Sequence, residues 1–166
     1  KPFSDRALPG APYLAVHTPP MTPSSTTDHQ AHRLLRGGAW LLLLGLLTGL
    51  LVPAVANPRM GLSSHIEGVL NGMLLLVLGL LWSRLVLPER WRRIAAACSL
   101  YGAFANWATM LLAAVLDAGG QLSVEAQGRT GAPLAEGLVN FGLASLTVAM
   151  LTASVTVIVG LKRTAG

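Results

Sequence analysis

Asn57-Pro58-Arg59-Met60-Gly61-Leu62-Ser63-Ser64-His65-Ile66-Glu67-Gly68-Val69-Leu70-Asn71-Gly72-Met73 runs without a break into Leu74-Leu75-Leu76-Val77-Leu78-Gly79-Leu80-Leu81-Trp82. From Gly61 to Trp82 the stretch is long and apolar enough to cross a bilayer core, which takes about 20 such residues. It also holds a histidine, a carboxylate and an amide near its start. The rest of the chain is mostly Leu, Ala, Val and Gly. The stretch therefore decides the fold as a membrane helix, and any chemical site is expected on it.

Outward from this helix the same material recurs. Leu34 to Ala56 is an apolar run entered by Arg33 and Arg36, and Pro53 should kink or end it. Ile94 to Leu116 is another, ended by Asp117, Gly119 and Gly120. Leu134 to Leu161 is a long one that should tilt or project beyond the bilayer. The composition agrees, because 52% of the 166 residues are hydrophobic and only 11% are charged. A soluble domain carries about 25% charged residues. The expected fold is all-α, an integral membrane four-helix bundle. The lipid bilayer is its first partner. So small a bundle leaves little interior volume, and a sizeable site is expected to need a homo-oligomer.

The net charge of +5 raises nucleic acid as a partner. It is excluded because the basic residues flank apolar runs and form no patch with aromatics. They instead set orientation. Arg33, Arg36, Arg84, Arg90, Arg92, Arg93, Lys162 and Arg163 fall on one side of the spans, and only Arg59 and Arg129 on the other. The positive-inside rule then puts both termini and the loop at Pro88 in the cytoplasm. Trp40 and Trp82 lie near that boundary, where an aromatic belt would place them. Cys98, within an apolar run, reads as a small hydrophobe.

Residues 1–30 are a different material, expected to form a disordered segment ahead of a transmembrane domain at 31–166. They hold six of the ten prolines and a Ser/Thr-rich run from Thr22 to Thr27. They lack the apolar core of a signal peptide. Met21 is expected to be the natural start, making residues 1–20 extraneous.

A short internal repeat sets Glu67-Gly68-Val69-Leu70-Asn71-Gly72 beside Glu136-Gly137-Leu138-Val139-Asn140-Phe141. The matching helices run in the same direction, so a parallel repeat of two helices each is expected. Leu134 then stands where the first half has His65.

On a helix, at about 100° per residue, His65, Gly68, Gly72 and Gly79 share a stripe. Glu67 and Asn71 lie together on a neighbouring face. Two readings of the stripe stay open. Gly68-x-x-x-Gly72 suits close helix packing, as does Gly45-x-x-x-Gly49, which shows the pattern without a polar neighbour. Alternatively, a flat ligand lies on the glycines with His65 bonded to it, and porphyrin iron held by one imidazole fits that description. Polar side chains at membrane depth usually face an interior or cavity, which singles out Glu67, Asn71, Tyr101 and Asn106. Asn106 and Asn140 can equally be ordinary interhelical hydrogen-bonding groups. Trp107, mid-span, should face a packed interior or a pocket.

The stretch from Asn57 to Gly72 resembles the hallmark of the hydroxylaminobenzene mutase family, small four-helix bacterial membrane enzymes. The likeness runs from about Leu34 to Leu161. His65 followed by Asn71-Gly72 is also similar to styrene oxide isomerase, a membrane-embedded trimer with haem b held by one histidine. The resemblance implies a mutase in the bacterial inner membrane that isomerises a small aromatic substrate, an aryl hydroxylamine, to 2-aminophenol. It implies haem b as cofactor, a homotrimer, and His65 as axial ligand and metal site; on the flat-ligand reading of the stripe, Gly68 and Gly72 bind that cofactor. Asn71, Glu67 and Asn106 are the implied catalytic residues. The isomerase's tyrosine, about one turn beyond its asparagine, is Met110 here, and Glu67 belongs to the mutase pattern. Both departures favour the hydroxylamine over an epoxide. Two other classes stay open on residues alone: a small proton-coupled exporter using Glu67, and a structural membrane subunit.

Overall fold

A computed structural model describes residues 26–161, and among them there are helices and turns but no strand. Four helices are long and apolar enough to cross a membrane. They are α1 (Thr26–Leu51), α2 (Pro58–Leu81), α3 (Glu89–Leu116) and α5 (Pro133–Leu161), with a one-turn α4 (Ser123–Ala126) between the last two. The protein is thus an all-α membrane bundle.

The ends follow local chemistry. α1 gives way to a short 3-10 turn at Val52–Ala54, because Pro53 cannot donate to the preceding turn. Asn57 caps α2, its side-chain oxygen accepting from the Met60 N–H at 3.3 Å, and Pro58 occupies the first turn, where its missing N–H costs nothing. α3 stops at Asp117, which takes the left-handed conformation with φ 51°. The Asn57 amide group also reaches Asp117 Oδ1 at 3.2 Å, and Arg129 pairs with Asp117 at 3.0 Å, so the loops at this end are tied together.

α1 packs along α2, α2 along α3, and α3 along α5, while α5 hardly touches α2. The result is a groove between α2 and α5 floored by α3. One core cluster gathers Leu34, Leu41, Leu75, Trp82, Leu85, Ala95, Ala96 and Ala103. A second gathers Met60, Ala113, Ala114, Ala118, Ala126, Ala135 and Val139 at the Asn57 end.

Two expectations are corrected. α1 begins at Thr26, inside the stretch expected to be disordered, and Gln30 is buried. The reason is a polar clasp: Trp82 Nε1 donates to Gln30 Oε1 at 3.0 Å, and Gln30 Nε2 donates to Glu89 Oε1 at 2.9 Å. The same clasp makes Trp82 a fully buried core residue rather than a belt residue. Residues 1–25, including Met21, lie outside the described residues. The two repeat segments do different work. Glu136 accepts from the backbone N–H groups of Gly120 and Gly131 and so organises a loop, whereas Glu67 binds side chains.

Candidate functional site

The site is built on α2. Residues four apart lie over one another on a helix, so Asn71 Nδ2 reaches Glu67 Oε2, at 3.1 Å. α3 supplies the second donor: Asn106 Nδ2 reaches the same oxygen at 2.5 Å. One carboxylate oxygen thus takes two amide N–H bonds. Asn71 is buried, and Glu67 and Asn106 are half-buried. Arg92 and Arg93 pair with Glu89, and Arg129 with Asp117, whereas Glu67 has its two amide partners. An acid at membrane depth, held by amides and unmatched by a cation, is costly for the fold and is a mark of function.

His65 faces the other way. Successive residues turn by about 100°, so His65 and Glu67 stand about 200° apart around α2. His65 Nδ1 lies 2.7 Å from the Gly45 carbonyl oxygen on α1. A carbonyl only accepts, so Nδ1 carries the hydrogen, and in the neutral ring Nε2 keeps its lone pair. This is the tautomer of a metal-ligating histidine whose second nitrogen is anchored to the protein. The imidazole rests on Gly49, where an added Cβ would come within 2.8 Å of Nδ1.

The glycine stripe is covered by α1. A Cβ on Gly68 would lie 2.6 Å from the Gly45 Cα, and one on Gly72 would lie 2.6 Å from the Leu42 nitrogen. Within one chain, Gly68 and Gly72 therefore form a close helix-packing face, and no flat ligand lies between that face and α1. Gly45 and Gly49 do have a polar neighbour, contrary to the sequence reading. Thr48 between them accepts from Trp107 Nε1 at 3.0 Å and donates to the Leu44 carbonyl at 2.8 Å. Ser64 donates to the Trp107 carbonyl at 3.0 Å. Trp107 thus locks α1, α2 and α3 beside Asn106. Thr48 and Ser64 were missed because a hydroxyl in an apolar helix usually bonds back to its own turn.

Of the expected site residues, the structure brings together Glu67, Asn71 and Asn106, and sets His65 apart. Tyr101 bonds Ser145 at 2.7 Å on α5, away from both. Among the described residues no group of three or more His, Cys, Asp or Glu side chains could hold a metal ion. A single anchored imidazole suits a metal that brings its other ligands with it, as porphyrin iron does.

The family model for styrene oxide isomerase matches residues 30–162. Hydroxylaminobenzene mutase HabB of Ectopseudomonas oleovorans is 48% identical over 150 residues, covering 90% of this chain and 88% of that one. Hydroxylaminobenzene mutase HabA of the same organism is 44% identical over 131 residues, covering 78% of this chain and 97% of that one. No solved structure matches the chain. With four membrane helices and these matches over most of its length, the chain belongs to the hydroxylaminobenzene mutases within the styrene oxide isomerase family, and it is an isomerase.

Proposed function

We propose that this isomerase converts an aryl hydroxylamine, such as hydroxylaminobenzene, to 2-aminophenol in the bacterial inner membrane, with both termini cytoplasmic. The observation that carries this reading is the Glu67 carboxylate, held by two asparagine amides and, among the described residues, by no cation, in a chain related to two hydroxylaminobenzene mutases.

The reaction moves a hydroxyl from nitrogen to the ortho carbon, and the ortho hydrogen ends on nitrogen. No electrons enter or leave overall. Breaking the N–O bond builds positive charge on the arylamine, and Glu67 faces that charge. Its carboxylate takes the proton released from the ortho carbon and returns it to nitrogen. Asn71 and Asn106 hold the carboxylate in one orientation and hydrogen-bond the polar end of the substrate. The apolar walls keep bulk water from capturing the cation. His65 Nε2 would hold haem b, which would supply a Lewis acid for the hydroxylamine oxygen. The 2.7 Å bond from Nδ1 to Gly45 would hold that imidazole in place.

His65 and Glu67 lie on different sides of one α2, which favours a homotrimer whose subunit boundaries bring them to one substrate. A styrene-oxide-like epoxide isomerisation is the second reading, favoured by the family match. Met110, buried on α3, offers no hydroxyl for the tyrosine step which that resemblance implies.

The test is an absorption spectrum of detergent-purified protein before and after adding phenylhydroxylamine, with product analysis. A Soret band that shifts, together with 2-aminophenol, is the expected result. Active, colourless protein would keep the reaction and discard the haem. Protein that fails to form 2-aminophenol with haem bound would overturn the reaction. The His65→Ala variant should lose the band and the activity together.

A further inference from the structure

Below Asn71 the groove between α2 and α5 widens into a cavity of about 200 Å3, lined by Leu74, Leu78, Ser99, Met150, Ala153 and Val157, among others. Its walls are almost wholly apolar. Its polar side chains are Ser154 on α5, which is exposed, and Ser99 on α3, which is 2% exposed and whose hydroxyl oxygen has no hydrogen-bond partner. A buried hydroxyl without a partner costs about 1–3 kcal/mol. Serines in apolar helices ordinarily avoid this by bonding to their own preceding turn, as Ser63, Thr48 and Thr156 do here. Ser99 instead lines an apolar space with its bonding capacity unused.

The cavity lies on the same faces as the carboxylate site. Glu67, Asn71, Leu74 and Leu78 follow one another at helical spacing on α2, and Ser99 and Asn106 do so on α3. Ser99 is two turns from Asn106, about 10 Å along the axis. α5 closes the far wall, and because it hardly meets α2 the groove opens sideways toward the bilayer. An apolar cavity of about 150 Å3 suffices to bind benzene. The volume here takes one benzene ring with a small substituent, and the buried, unpartnered Ser99 hydroxyl suits one nitrogen or oxygen on it.

We propose that this cavity is a second binding site for a small aromatic ring bearing one hydrogen-bonding substituent, in which the substrate waits after leaving the lipid and before reaching Glu67. The choice of an arylamine-like ligand rests on the proposed reaction. The space and the unpaired hydroxyl do not.

The probe is azidobenzene, a photoreactive aryl azide, applied to the purified full chain in detergent with aniline as competitor. Photolabel is expected on Leu74, Leu78 or Met150. With aniline at ten times its dissociation constant it should fall about tenfold by simple mass action. In Ser99→Ala, aniline should compete about fivefold more weakly, the loss expected for one neutral hydrogen bond. Label at these residues that aniline does not displace would mean a site for lipid chains and would overturn the proposal. So would label spread evenly over the outer helix faces, or competition unchanged by Ser99→Ala. Protein that is labelled and competed in this way but forms no 2-aminophenol would uphold the cavity and remove the proposed reaction. An active protein unlabelled here would do the reverse.

Discussion

Glu67 and His65 sit one residue apart from contact in the chain and serve different neighbours, so substitutions at them should separate. Glu67 accepts both amides through one oxygen, at 3.1 and 2.5 Å. Glutamine keeps a carbonyl oxygen for those bonds and removes the charge. On the proposed reaction, Glu67→Gln should therefore lower kcat by about 100-fold, the smaller end of what proton transfer contributes, while leaving the Soret absorbance of the proposed haem at wild-type strength. Loss of the Soret band in this variant would show that Glu67 shapes the cofactor's seat instead. Gly49→Ala tests the opposite side of α2. A Cβ there meets the imidazole nitrogen at 2.8 Å. The ring must shift from its bond to Gly45, and with the proposed haem on His65 the expected outcome is reduced haem per chain on spectroscopic titration, with helix content by circular dichroism unchanged.

At the level of helices, α1 and α2 meet backbone to backbone. In a membrane there is little hydrophobic force between helices, and small residues bind them by allowing close approach. The Cβ of a Gly68→Ala variant would stand 2.6 Å from the Gly45 Cα, an atom that cannot rotate away. The pair must separate, at a cost of about 2 kcal/mol, read as an earlier midpoint when the protein is unfolded from mixed micelles with increasing sodium dodecyl sulfate. Gly137→Ala is the contrast. Nothing lies within 4 Å of its added Cβ, so its midpoint should stay or rise. The second helix pair is joined differently, with Gly102 against Met150 and Gly142 against Thr109. The repeat in the sequence thus matches a repeat in helix order but not in packing.

Over the whole molecule, the apolar surface turns outward. Leu134 is 78% exposed, Phe141 71% and Val148 67% along α5, and Leu50 77% on α1. In a chain with four membrane helices these faces meet lipid or neighbouring subunits. The proposed orientation makes a prediction at this scale. In a Cys98→Ser background, Thr130→Cys should react with an impermeant maleimide on intact cells, and Arg90→Cys only after the membrane is opened. The reverse pattern would invert the bundle.

How much of this was legible depends on the range of each interaction. The sequence alone determined four membrane helices, with Pro53 ending the first and the Asp117 region ending the third, because length, apolarity and proline are local properties. It also paired Glu67 with Asn71, since residues four apart share a helix face whatever surrounds them. Only the tertiary structure decided the rest. Asn106 reaches Glu67 across 39 positions. The partner of His65 is a backbone carbonyl, which every residue has and no sequence marks. Trp82 lies in the core because Gln30 turns inward to meet it, and the glycine stripe is filled because α1 matches it. In a soluble helix the apolar stripe shows which face is inward. Here nearly every face is apolar, so only packing determines which side of each helix meets its neighbour.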